Sequence, residues 1–165
     1  MSTDGSEVIT ALGLTTHPEG GAFKELYRSE LGVSVHWSED LRSASTCILF
    51  MLRTGEMSRL HKICSDEIWA YHLGGPMEVV EINPATGEVT KTVVGPSLGE
   101  HKLIHVVKAG MWFGSRPASS QWSLCSCFVS PGFDWRDFQM PSRAELLATL
   151  PPSARATVME LTPAE

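Results

Sequence analysis

The sequence predicts an all-β fold, a barrel or sandwich of short strands with one helix near each end. Three observations predict it. Strand-forming runs recur at a spacing of about 8–12 residues, punctuated by glycine and proline turns. Helical spacing shows only at the two ends of the chain. The central stretch Ser58 to Gly74, SRLHKICSDEIWAYHLG, alternates with period two. Its alternation puts Glu67, Trp69 and Tyr71 on one face and Ile68, Ala70 and His72 on the other. A carboxylate sharing a face with two aromatics suits neither solvent nor a plain core, since a buried charge must be paired or neutralised. It suits the wall of a partly wet pocket.

Each element follows from local chemistry. Ser6 to Leu14 has helical spacing, with Ser6 as N-cap and Gly13 as terminator. Pro18 and Gly20-Gly21 mark a turn, after which Ala22 to Arg28 reads as a strand. In it Phe23, Glu25 and Tyr27 alternate with Lys24, Leu26 and Arg28. Residues 32–45 are polar and read as a connection with one short strand. Thr46 to Leu52, TCILFML, is continuously apolar, the pattern of a buried strand. Met77 to Ile82 pairs with Glu88 to Val94 across the Asn83–Gly87 turn by hairpin logic. His101 to Val107, Met111 to Gly114 and Ser123 to Ser130 supply further strands. Ser142 to Leu150 is a helix opened by a capping box, Ser142 with Glu145. The tail from Pro151 is expected to be loosely held, leaving a core over about residues 12–150 of one domain spanning 1–165.

The totals exclude several functions. The 165 residues are 42% apolar, with thirteen basic and nineteen acidic residues for a net charge of −6. That balance argues against non-specific nucleic-acid binding, which rests on phosphate neutralisation. No segment approaches the ~20 apolar residues that cross a bilayer, and the N-terminus lacks a signal-peptide pattern. A cytoplasmic protein with no nucleic-acid or membrane partner is expected. The four cysteines, Cys47, Cys64, Cys125 and Cys127, lack paired zinc spacings and read as reduced structural thiols. Cys64 stands apart, three residues after His61.

At the central stretch a family pattern emerges. Gly55, five residues, His61, one residue, Ile63, three residues, Glu67, six residues and Gly74 resemble the first cupin motif. HPEGG (His17 to Gly21) with YRS (Tyr27 to Ser29), SRLHKICSDEIW, AGMW (Ala109 to Trp112) and SPGFDWRDF (Ser130 to Phe138) resemble, in order, signatures of the small single-domain cupin-5 group. The likeness runs from about Leu12 to about Leu150. It implies an RmlC-like double-stranded β-helix, or jelly-roll, barrel, with a homodimer as in sugar-epimerase cupins. It also implies a metal bound by two histidines and a glutamate. Here the second histidine position is Ile63, and the later one falls on Phe113. No cofactor is therefore expected. His61, Glu67 and Cys64 are weak metal candidates, with His101 and His105 as the other donors that rescue a site.

Two readings of the pocket follow. In one it binds a polar metabolite such as a sugar, nucleotide-sugar or organic acid. In the other it is a metal-independent isomerase, epimerase or lyase, with His61 and Glu67 as acid/base groups and Tyr71 or Tyr27 returning the proton. Trp69, Trp112 and Phe113 are candidates for a stacking wall, and Tyr27 and Glu25 for further ligand contacts. The bland alternatives are that His61 and Asp66 tie down the loop entering the strand, that Glu67 pairs with an arginine, and that the aromatics are core. HPEGG reads as a lid or as the turn its glycines demand, with Glu19 solvated. Asp134 and Trp135 are placed at one mouth.

Overall fold

A computed structural model describes residues 4–164. Its strands are β1 (Thr15–Thr16), β2 (Ala22–Arg28), β3 (Gly32–Val35), β4 (Ser38–Ser43), β5 (Thr46–Leu52) and β6 (Ser58–His61). They continue with β7 (Asp66–Gly74), β8 (Met77–Ile82), β9 (Val89–Val94), β10 (Ile104–Val107), β11 (Trp112–Pro117) and β12 (Ser123–Ser130). A six-stranded sheet, in the order β1-β2-β5-β12-β7-β10, faces a four-stranded sheet, β6-β11-β8-β9. The paired strands run antiparallel. This is the cupin jelly roll, with the two sheets stacked as a sandwich rather than closed into a barrel. Residues 32–45, read as a connection, form the hairpin β3–β4.

Alternation fills the space between the sheets. Phe50 and Leu52 of β5, Trp69 of β7, Val79 of β8 and Phe113 of β11 form one buried cluster. The unbroken apolar run of β5 has a second cause, because its other face is covered as well. Helix α1 (Ser6–Leu12) lies there, joining Val8 to Met51, Trp122 and Leu124. Its N-cap is Gly5, not Ser6, whose amide and hydroxyl instead turn to Asp4 Oδ1. Gly13 ends it in the left-handed region, as expected of a C-terminal glycine.

The tail is where the sequence reading fails. Helix α2 (Arg143–Thr149) carries the expected capping box. The chain then makes a 3-10 turn at Pro152–Ala154 and a third helix, α3 (Arg155–Glu160). Ala154, Val158 and Leu161 are completely buried against Leu60, Val80, Ile82 and Leu146. The four-stranded sheet has an apolar outer face, and this tail covers it. Leu161→Ala is expected to cost about 2–5 kcal/mol, measured by urea unfolding. A loss below about 0.5 kcal/mol, the range of surface substitutions, would mean the tail is not integral.

Candidate functional site

One cavity of about 300 Å³ opens at an end of the sandwich. Strand register explains which residues reach it. Arg28 lies opposite Thr46 and Glu25 opposite Ile48, while Glu67 lies opposite Val129, and all six line the cavity. The alternation of β2 predicts Tyr27 beside Phe23 and Glu25. A bulge between Glu25 and Tyr27 breaks that alternation. The extra residue rotates Arg28 onto the inner face and Tyr27 outward. Tyr27 now sits opposite Cys47 and is 55% exposed, so it has no place in the cavity.

The floor holds His17, Glu19, His61 and Glu67, each buried. The first two arrive on the HPEGG turn, which is neither a lid nor solvated. His17 donates its amide to Gly21 O at 3.0 Å, and Gly20 donates to His17 O at 3.0 Å. Gly20 and Gly21 take φ of 119° and 69°, which favours glycine. The turn is stitched to β6 by Arg59 N–H donating to Glu19 O at 2.8 Å. Glu19 is thereby carried inward, with a relative exposure of 6%.

Hydrogen-bond chemistry fixes the protons. His61 Nδ1 lies 2.7 Å from Arg59 O; a carbonyl only accepts, so Nδ1 carries a hydrogen. His61 Nε2 lies 3.2 Å from Glu19 Oε2. Neutral imidazole presents only a lone pair there, so this contact holds one proton shared between the two residues. Ser58 donates to Glu19 Oε1 at 3.0 Å. The Glu19 amide donates to His17 Nδ1 at 3.2 Å, leaving the ring hydrogen on Nε2. Burial raises Glu19 from 4.5 to about 8 and lowers His61. Burial also raises Glu67 to about 7, against the partly compensating pull of His61. His17 drops to about 4 through burial and the neighbouring His61. Near neutrality the floor is thus poised both to hold and to give protons. Among the described residues no arginine pairs with Glu67.

The mouth is aromatic on one side and ionic on the other. Trp135 packs edge-on against Phe133 at 4.9 Å and Phe138 at 5.3 Å, and all three line the cavity. Their loop is anchored by the Arg42–Asp137 pair at 2.8 Å and by Phe133 N–H donating to Thr46 Oγ1 at 2.9 Å. Asp134 does not line the cavity; it caps the 3-10 turn at Trp135–Asp137 and binds Arg136. Opposite, Arg28 grips Glu25 with Nε and Nη2 at 3.0 and 2.8 Å, and donates Nη1 to Phe133 O at 2.9 Å.

Several residues singled out in the sequence lie elsewhere. Tyr71 shares the inner sheet face with Glu67 but donates its hydroxyl to Gly74 O at 2.6 Å, away from the cavity lining. Tyr71→Phe is expected to cost about 1 kcal/mol for that bond and to leave ligand affinity unchanged by calorimetry. A tenfold loss would restore Tyr71 to the site. Trp69 is wholly buried, edge-on to Phe50 at 5.7 Å, and is core rather than a stacking wall. Trp112 and Phe113 are consecutive in β11, so they face opposite ways. Trp112 lies in the outer cluster under the tail, with the Lys62 ammonium 4.6 Å from its ring. Phe113 backs His61, ring centroids 4.1 Å apart. Asp66 binds Lys108 and the Ala109 amide, tying the strand entry to the 107–111 turn.

The metal cage implied by the cupin motif does not fit these residues. Ile63 is on the cavity wall, Phe113 packs on His61, and Cys64 points its thiol toward Asp137 O. His101 accepts from Ser97 N–H, and His105 pairs with Glu81 at 2.6 Å. Among the described residues, no three His, Cys, Asp or Glu side chains are placed to share a metal ion. His17, Glu19, Arg28, Thr46, Phe133 and Phe138 are among the cavity residues that the sequence reading did not place there. The HPEGG motif was the signal for the first two.

Known proteins agree with this architecture. The profile described as Cupin superfamily (DUF985) matches residues 6–141. Protein SO0799 from Shewanella oneidensis is 35% identical over 100% of both chains, with a TM-score of 0.88. A hypothetical protein from Leishmania major is 32% identical over 96% of this chain and 99% of its own, also with a TM-score of 0.88. A cupin 2 domain-containing protein from Halorhodospira halophila shares the fold alone, at 17% identity over 92% of this chain and 88% of its own, with a TM-score of 0.55. No curated protein matches the sequence. Its jelly roll, its motifs and its profile match together make the chain a member of the cupin superfamily, in the family DUF985.

Proposed function

We propose that this cupin binds a small polar metabolite in its cavity, with the His17–Gly21 turn and His61 as the floor and Trp135 at the mouth. The convergence of four buried ionisable side chains on one open cavity carries this reading. Burying acids without a cationic partner costs free energy, and a floor serving only stability would be apolar. At about 300 Å³ the cavity is at the small end of the usual 300–1,000 Å³ range. A monosaccharide or small acid fits inside; a nucleotide-sugar would leave its nucleotide outside. The test is a thermal-shift and calorimetric screen of monosaccharides, polyols and small hydroxy- and keto-acids, repeated with Trp135→Ala. Specific binding weakened by that variant supports the reading. Silence across the panel, or binding indifferent to both Trp135 and His61, overturns it.

The shared proton favours a second reading, proton transfer on the bound metabolite without a metal. Glu67, in its ionised form, would take a proton from the carbon next to a carbonyl as the proton shared by His61 Nε2 and Glu19 passes to the carbonyl oxygen. Reversal on either carbon gives isomerisation or epimerisation. Glu19 holds the imidazole and takes up or returns the shared proton. In D2O a bound carbonyl sugar is then expected to gain deuterium at that carbon. His61→Gln should abolish exchange while binding persists. Exchange that survives His61→Gln rules out this assignment.

A further inference from the structure

We infer that the Glu25–Arg28 pair is a charge filter that restricts the cavity to uncharged, hydroxyl- or carbonyl-bearing ligands. This rests on the proposed binding function and narrows its ligand class. Among the described residues the cavity wall carries one guanidinium, Arg28, against three carboxyls, Glu19, Glu25 and Glu67. A lone arginine at a pocket mouth ordinarily marks carboxylate or phosphate recognition, through a planar fork of donors. Here three of the five N–H donors of the fork are occupied. Nε and Nη2 hold both oxygens of Glu25, and Nη1 holds the carbonyl of Phe133. An incoming anion would have either to use the Nη hydrogens left over, close beside the Glu25 carboxylate, or to displace Glu25 and then face it.

The same pair is neutral as a unit, so it gives a cation nothing either. Deeper in, Glu19 and His61 share one proton at 3.2 Å and are likewise neutral together. What remains for a ligand is a set of donors and acceptors that carries no unpaired positive charge. Thr46 accepts from the Phe133 amide, so its own hydroxyl hydrogen is free to donate. Glu67 donates or accepts according to its proton. Donors and acceptors with no unpaired positive charge match hydroxyl and carbonyl groups and not anions. The bulge in β2 is the structural origin of the filter, since it alone brings Arg28 to the face that carries Glu25.

The experiment compares charge variants of one scaffold by calorimetry at low salt. The probes are glucose, mannose, galactose and xylose, their aldonic acids, the available amino sugars, and the sugar phosphates. The neutral sugar is expected to bind at least about tenfold tighter than its anionic forms, like-charge contacts costing that much or more. Glu25→Gln frees the guanidinium and should raise affinity for the aldonic acid about tenfold relative to the neutral sugar. Both residues of the pair are half exposed, so this variant should fold. The double variant Glu25→Gln/Arg28→Gln should lose that gain. Tighter binding of the anionic or amino form to the wild type, or an anion gain that survives in the double variant, overturns the filter while leaving the pocket intact. Silence from every probe instead overturns the binding reading, and the filter with it.

Discussion

Glu19→Gln is expected to stabilise the protein by about 2–3 kcal/mol at pH 8.5 and to change it little at pH 4.5. The sign follows from proton counting. In the folded chain Glu19 keeps its proton up to about pH 8, whereas its ordinary value is 4.5. Between those values the folded state binds more protons than the unfolded state, so stability falls as pH rises and levels off above 8. At about 1.4 kcal/mol per unit, the whole shift bounds the effect near 5 kcal/mol. The expected gain is smaller because Glu19 and His61 share one proton, and removing one partner relaxes the other. Glutamine suits the geometry: its NH2 donates to His61 Nε2 and its carbonyl accepts from Ser58.

The histidines act on the opposite limb. His17 and His61 stay neutral when folded and protonate when unfolded, so both withdraw stability as pH falls below about 6.5, His17 down to about 4. Glu67, raised to about 7, reinforces the alkaline loss. Wild-type stability should therefore decline from pH 6.5 to 8, where the acids outweigh what remains of the histidine titration. Urea unfolding at pH 4.5, 6.5 and 8.5 measures both limbs. Parallel profiles for wild type and Glu19→Gln would mean that Glu19 is ionised and solvated, as its sequence context suggests.

That contrast shows what a sequence can carry. Period-two alternation was enough to place Glu67 and Trp69 on one inner face and to identify the strands around them, because strand geometry is local. Depth is not local. Glu67 reaches the cavity, while Trp69, two residues on, is sealed in the core, and only the packing of the opposing sheet decides which. The β2 bulge exchanges Arg28 for Tyr27 on the inner face, and no residue in FKELYR announces it. The Trp112–Phe113 wall failed on alternation itself, since neighbours in a strand cannot share a face. Motif resemblance located HPEGG without showing that its turn folds inward. The tail was misjudged because its partner, the outer face of the four-stranded sheet, is built from distant segments at Leu60, Val80 and Trp112.

The turn that delivers Glu19 gives the second large effect. Gly20→Ala is expected to cost more than about 3 kcal/mol and to uncouple Glu19 from His61. A Cβ at Gly20 would lie 2.0 Å from Met57 O. The obstacle is backbone, so no rotamer change relieves it, and φ of +119° is strained for any L side chain. The turn must therefore lift from β6, breaking the Arg59–Glu19 backbone bond and carrying His17 and Glu19 outward. Gly55→Ala is the matched control. Gly55 also has a positive φ, +81°, but nothing lies within 4 Å of its added Cβ. It should cost only about 1 kcal/mol of backbone strain. The two variants differ in what they do to the cavity, so pH separates them. Gly55→Ala should keep the stability decline between pH 6.5 and 8, displaced downward as a whole. In Gly20→Ala the decline should flatten, because a lifted Glu19 is hydrated and ionises near its ordinary value. If the two variants lose equal stability and keep the same pH profile, the turn is not what holds Glu19 against His61. The proton shared between those residues would then need another source of restraint.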